Sequence, residues 1–169
     1  YPLKGINIPA REVSGDFFSF YPHNELVYFI IADVAGKGIH AGMVMAKAST
    51  LFEVLAQDKV DLDEMTFYMN NDLFNTKSGG MFVTGIVGKY NIISEEVSWV
   101  NAGHQPALIR DSKGFFKDFE SKSPPLGVIK QKNKLAYFLN KEKLNGKRCY
   151  TFTDGLSESL NLNLEELGI

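Results

Sequence analysis

The chain has 169 residues, of which 44% are hydrophobic and 22% charged, enough for one domain with a substantial core. Its formal net charge of −2 gives no electrostatic footprint for nucleic acid or an anionic membrane. A single cysteine, Cys149, excludes an intrachain disulfide and reads as a buried, reduced thiol in a strand, which fits a cytoplasmic setting.

In chain order, Ile6 to Ile8, Phe17 to Tyr21 and Leu26 to Val34 are rich in aromatic and branched residues, with Pro22-His23-Asn24 as the turn of a hairpin. From His40 to Ala56 the pattern becomes helical, with Met43, Val44, Ala48, Leu51, Phe52 and Leu55 on one face. Asp61 to Phe74 repeats it with Leu62, Met65, Met69 and Leu73, Asp61 being the expected N-cap with Glu64 in the capping-box position. Ser78-Gly79-Gly80 ends that helix. Strands are then expected at Met81 to Tyr90, Glu96 to Val100, Ala107 to Arg110, Lys134 to Leu139 and Arg148 to Thr153. Strands at both ends around a helical pair do not alternate as βαβ units do, so the expected class is α+β, with helices packed on a sandwich of antiparallel sheets. The loop Ser121 to Gly127, carrying Pro124-Pro125, reads as a rigid surface connection or the rim of a site.

Three aspartates stand at the ends of apolar runs beside glycine turns: Gly15-Asp16, Asp33-Val34-Ala35-Gly36-Lys37-Gly38 and Asp154-Gly155. A strand fixes each carboxylate and the glycine turns the backbone away, so residues remote in sequence converge as hard oxygen ligands for a divalent cation. The run Leu26 to Ala32 is apolar on both faces, and Asp33 at its end exposes its carboxylate and the following carbonyls at the lip of a sheet. The helix from about His40 starts beside this turn with its first amides available to an anion.

These segments resemble, in order, the motifs of the SpoIIE/RsbU-type branch of the PP2C-like (PPM) serine/threonine phosphatases. The resemblance rests on Pro9 to Phe18, Ala32 to Ala41, Phe82-Val83-Thr84, Asn101 to Pro106, Pro124 to Gly127 and Tyr150 to Gly155. It implies an αββα four-layer sandwich, two antiparallel sheets flanked by helices, spanning residues 1–169 as one domain and lacking its C-terminal strand. It also implies a C-terminally truncated fragment of a longer protein, which could be membrane-anchored although this fragment makes no membrane contact. By the same resemblance Asp33 bridges two Mn²⁺ or Mg²⁺ ions, the Val34 carbonyl completes one, Asp154 binds the other, and Asp16 binds or orients metal-bound water. The implied reaction is hydrolysis of phosphoserine or phosphothreonine by metal-activated water, with no covalent phosphoenzyme.

Other residues carry two readings. Arg11 reaches a substrate phosphate or is an exposed strand-entry arginine, Lys37 attracts substrate or is a solvated turn lysine, and His104 shapes its turn by hydrogen bonding. His23 and His40 have no ligand spacing with His104 or Cys149, which argues against zinc. Trp99 is expected in the core. Gly36-Lys37-Gly38 lacks the residues of a nucleotide-binding P-loop.

Three departures stand out, the first being Ser14 in place of a glycine often found before Gly15-Asp16. Ser19 occupies a position where the family commonly has another aspartate, and the family's last metal aspartate has no counterpart before Ile169. Glu158, Glu165 and Glu166 do not match it. The expectation is weak binding of a second ion. The alternative to an enzyme is a degenerate phosphatase fold acting as a regulatory binding module. The implied partner is a phosphorylated anti-sigma-factor antagonist, typically a STAS domain, and the long apolar helices are compatible with a homodimer.

Overall fold

A computed structural model of the chain describes residues 3–7, 15–76 and 80–159. The first hairpin comprises β1 (Phe17–His23) and β2 (Leu26–Val34), paired antiparallel from Phe17↔Ala32 to His23↔Leu26. Its turn is Asn24-Glu25, with Asn24 at φ 51°, a left-handed conformation that suits tight hairpin turns. Pro22 and His23 thus belong to the strand and not to the turn. Proline is tolerated there because β1 is the edge of its sheet. Ile6 and Asn7 are not in a strand, and Ile8 lies outside the described residues.

Two helices in contact with each other follow, α1 (Ile39–Gln57) and α2 (Leu62–Asn75). The buried stripe of α1 is Ala41, Val44, Ala48, Phe52 and Ala56, with Leu51 and Leu55 packed beside it. Met43, expected on that face, is instead exposed. By length and composition α1 resembles a membrane span, but its apolar stripe is buried in the core beside β1, β2 and α2. The buried face of α2 contains all four expected residues, Leu62, Met65, Met69 and Leu73. Asp61 does occupy the N-cap position, yet its side chain makes no capping bond and faces Lys89 at 3.7 Å. Glu64 accepts a hydrogen bond from the Tyr68 hydroxyl.

The chain continues through β3 (Val83–Asn91), β4 (Glu96–Ala102), β5 (Ala107–Arg110), β6 (Phe116–Phe119), β7 (Leu139–Lys143), β8 (Arg148–Tyr150) and α3 (Asp154–Ser157). Two antiparallel sheets result, ordered β1-β2-β3-β4-β7 and β6-β5-β8. The expected strand at Lys134 to Leu139 is absent. A 3-10 turn occupies Lys134–Ala136, with the Asn133 side chain accepting from the Leu135 amide, and β7 begins only at Leu139.

Strand alternation separates the core into two layers. Tyr28, Ile30, Ala32 and Val34 of β2 face the helices, packed with Phe52, Met65 and Met69. Phe29 faces the other sheet, in a cluster with Ile86, Val97, Trp99, Ala107 and Ile109, and Ile31 packs against it. Trp99 stacks edge-on against Phe119 at 5.1 Å between ring centres, a core role as expected. Cys149 packs against the same cluster, where burial pushes its thiol up to about 11. The fold is α+β, two antiparallel sheets flanked by helices. Among the described residues, α1 and α2 form the layer over the five-stranded sheet. On the outer face of the small sheet, Ser157 of α3 shares a cleft with Leu108, Phe116 and Asp118.

The Ser121 to Gly127 segment is more deeply built in than a surface connection. Leu126 is buried and exchanges two backbone hydrogen bonds with Val83, while Ser123 bridges Ala102. Asn70 of α2 accepts from the Gly127 amide and donates to the Ile129 carbonyl, tying the segment to the helical layer.

Candidate metal centre

All three sequence-selected aspartates converge. Asp16, Asp33 and Asp154 each present a carboxylate oxygen within 4.8 Å of the others. The register explains the meeting. Phe17 pairs with Ala32, so one further step sets Asp16 opposite Asp33, and both side chains share the strand face that looks into the space between the sheets. Asp154 arrives from the other sheet, at the start of α3 just beyond β8.

Gly15 has a steric reason at this site. A Cβ there would lie 2.9 Å from the Val34 carbonyl oxygen and 3.0 Å from Asp33 Oδ1, closer than these atoms tolerate. The same distances bring the Val34 carbonyl oxygen and Asp33 Oδ1 to the same side of Gly15. Gly155 differs, because a Cβ there would meet Asp16 Oδ2 at an ordinary 3.7 Å.

The electrostatics fit a cation. Burial, then the charges of Asp16 and Asp154 and a hydrogen bond with Asp16, push Asp33 up to about 6, against a backbone bond at Val34 that lowers it. Like-charged carboxylates this close repel unless a proton or a cation lies among them. Hard oxygen donors of this kind suit Mg²⁺ or Mn²⁺ better than a thiolate or imidazole metal. The α1 helix begins six residues beyond Asp33, and its N-cap, Gly38, offers no side-chain cap, so the first-turn amides carry none.

Position 19 turns out not to bear on the cluster. Ser19 pairs with Ile30 on the helix-facing side of β1 and its hydroxyl donates to Glu53 of α1. The serine therefore removes no carboxylate from this site. Arg11, Glu165 and Glu166 lie outside the described residues. Glu158 sits at the C-cap of α3 and is exposed.

His104 behaves as its turn suggested, and does more. Its amide donates to Asn101 Oδ1 at 2.8 Å, and Asn101 Nδ2 donates back to the carbonyls of His104 and Gln105. Ser121 accepts from the Gly103 amide and donates to the Asn101 carbonyl. Gly103 has φ 69°, and a Cβ would strike Pro125 at 2.5 Å. The His104 ring is buried, with Nδ1 2.9 Å from Thr84 Oγ1. The sequence marks Thr84 only as part of a motif; its pairing with His104 spans twenty positions and leaves no local signal.

A two-sheet sandwich with helices on its flanks and an aspartate cluster at one end defines a PP2C-like (PPM) phosphatase domain. The chain belongs to the family described as Stage II sporulation protein E (SpoIIE), whose model matches residues 23–168. It is similar to the phosphoserine phosphatase RsbU of Bacillus subtilis, 28% identical over 157 residues, covering 92% of this chain and 46% of that protein. Among solved structures it resembles the RsbU and RsbW domains of a Mycobacterium tuberculosis protein, with TM-score 0.77 and 23% identity over 94% of this chain and 44% of that one. It also resembles RsbX in complex with magnesium, with TM-score 0.65 and 19% identity over 82% and 64% of the two chains. The chain thus spans less than half the length of the curated relative RsbU.

Proposed function

We propose that the domain is a metal-dependent protein serine/threonine phosphatase acting on a phosphorylated regulatory protein. The observation that carries this reading is the meeting of Asp16, Asp33 and Asp154 beside the Val34 carbonyl. Asp33, Asp16 and Asp154 would hold two Mn²⁺ or Mg²⁺ ions, with the Val34 carbonyl as a further oxygen ligand. When bound, the ions supply a water of lowered pKa and neutralise charge on the phosphoryl oxygens. The residues themselves would hold the cations at the end of a rigid sandwich, and the start of α1, which has no side-chain cap, offers amide donors to an anion. No cysteine or histidine is needed as a nucleophile, and burial that raises the Cys149 thiol suits it to packing instead.

The substrate in this reading carries phosphoserine or phosphothreonine and is of the anti-sigma-factor-antagonist type, a STAS domain, in the cytoplasm. The similarity to an RsbU named a phosphoserine phosphatase supports the phosphoserine part of this reading. The test is phosphate release from a phosphoserine peptide and from an intact phosphorylated STAS protein. Release that requires Mn²⁺ and stops in EDTA is expected, faster on the intact protein. A folded, Mn²⁺-loaded chain that releases no phosphate would favour the regulatory binding module.

A further inference from the structure

The Asp33 and Asp154 carboxylates come from different sheets, so something must fix one sheet against the other at the end where they meet. Two independent contacts converge on one side chain there. Thr84 is the direct cross-strand partner of Asp33, and on β3 it shares the inter-sheet face with Ile86. His104 Nδ1 lies 2.9 Å from Thr84 Oγ1. The opposite ring atom, Nε2, is sealed from solvent with no hydrogen bond among the described residues, and the Phe152 backbone, two residues before Asp154, lies near enough to the ring to favour its protonated form. The ring itself cannot drift, because the Asn101, Ser121 and Gly103 contacts fix its backbone.

We propose that His104 is a positioning residue that joins the β3 side of the centre to the Phe152–Asp154 segment, setting the separation of the Asp33 and Asp154 carboxylates. The inference rests on reading the cluster as a metal site. The ring is neutral, since burial pushes it down to about 4 despite the Phe152 backbone and the Asp154 charge. A neutral imidazole donates from one nitrogen and accepts at the other. A proton on Nε2, the nitrogen turned away from Thr84, leaves Nδ1 to accept from the Thr84 hydroxyl, so the Thr84 bond and the sealed Nε2 side call for one tautomer. Second-layer groups of this kind orient ligands, and removing one typically lowers metal affinity about 10- to 100-fold.

Three readouts test it, two of them without metal. Nitrogen NMR should show His104 as the Nε2–H tautomer; the Nδ1–H tautomer would overturn the proposal. Thr84→Val keeps the side-chain shape but removes the hydroxyl, and Thr84→Ser restores it. In metal-free protein, Thr84→Val should speed amide exchange at Leu156 and Glu158, whose N–H groups bond to Thr153 and Asp154, by about tenfold. In Mn²⁺ titrations the same variant should lose about tenfold or more in affinity, with Thr84→Ser within about twofold of the unsubstituted chain. A folded Thr84→Val chain with unchanged exchange and unchanged affinity would refute the positioning role. Absence of phosphate release by the unsubstituted chain would count against the phosphatase reading alone, because tautomer and exchange are read without turnover.

Discussion

Replacing Asp33 by asparagine should make the metal-free chain more stable while abolishing its response to Mn²⁺. Asp33 is pushed from 3.8 to about 6, chiefly by burial and by the neighbouring Asp16 and Asp154. Two pKa units correspond to a ceiling of about 3 kcal/mol at ~1.4 kcal/mol per unit. The carboxyl is half-buried, so solvent screening reduces this to roughly 1–2 kcal/mol. A raised folded-state pKa contributes stability that is fully present below the unfolded value and is lost as pH rises through about 6. At pH 8 the ionised Asp33 is therefore a burden that Asp33→Asn removes, raising Tm by roughly 3–6 °C in a domain of this size. At pH 4.5 the folded state already holds the proton, and the gain should shrink to about a third. Thermal unfolding in EDTA at both pH values measures this. Mn²⁺ should then raise the Tm of the unsubstituted chain and leave the variant unmoved. A variant no more stable than its parent at pH 8, or equally stabilised at both pH values, would refute the electrostatic argument.

The contrast between two glycines is equally specific. Gly15→Ala should weaken Mn²⁺ binding by about tenfold or more, because its methyl must displace the Val34 carbonyl or the Asp33 carboxylate, whereas Gly155→Ala should bind within about twofold of the parent. Gly103→Ala combines a left-handed backbone with a Pro125 collision and should destabilise the fold by about 2 kcal/mol or more in denaturant unfolding. Phe52→Ala empties a fully buried position between α1 and the large sheet and should cost about 3–5 kcal/mol in the same assay.

The site was more legible in the sequence than parts of the scaffold. An apolar run that ends in aspartate and then turns on glycine announces both a strand end and a carboxylate held in place, and Leu26 to Val34 matches β2 at both ends. What failed involved features without a strong local pattern. The buried stripe of α1 includes Ala41 and Ala56, small residues that a search for large apolar side chains passes over, and this shifts the expected face toward Met43, which is exposed. β6 is four residues with lysine and aspartate at its centre and has little apolar signal of its own; its pairing with β5 creates it. Lys134 to Leu139 carries strand-forming residues, but Asn133 caps a 3-10 turn there. The burial of Leu126 and the Thr84 to His104 pairing are decided by contacts far along the chain.

The account stands or falls on whether the three aspartates hold metal together. The most direct measurement is anomalous diffraction at the manganese edge from crystals of the chain grown with Mn²⁺. The account predicts a peak roughly 2.0–2.3 Å from carboxylate oxygens of Asp33 and of Asp16 or Asp154, the range for hard divalent cations on oxygen ligands. Well-ordered carboxylates with no manganese among them, in a protein exposed to saturating Mn²⁺, would contradict it.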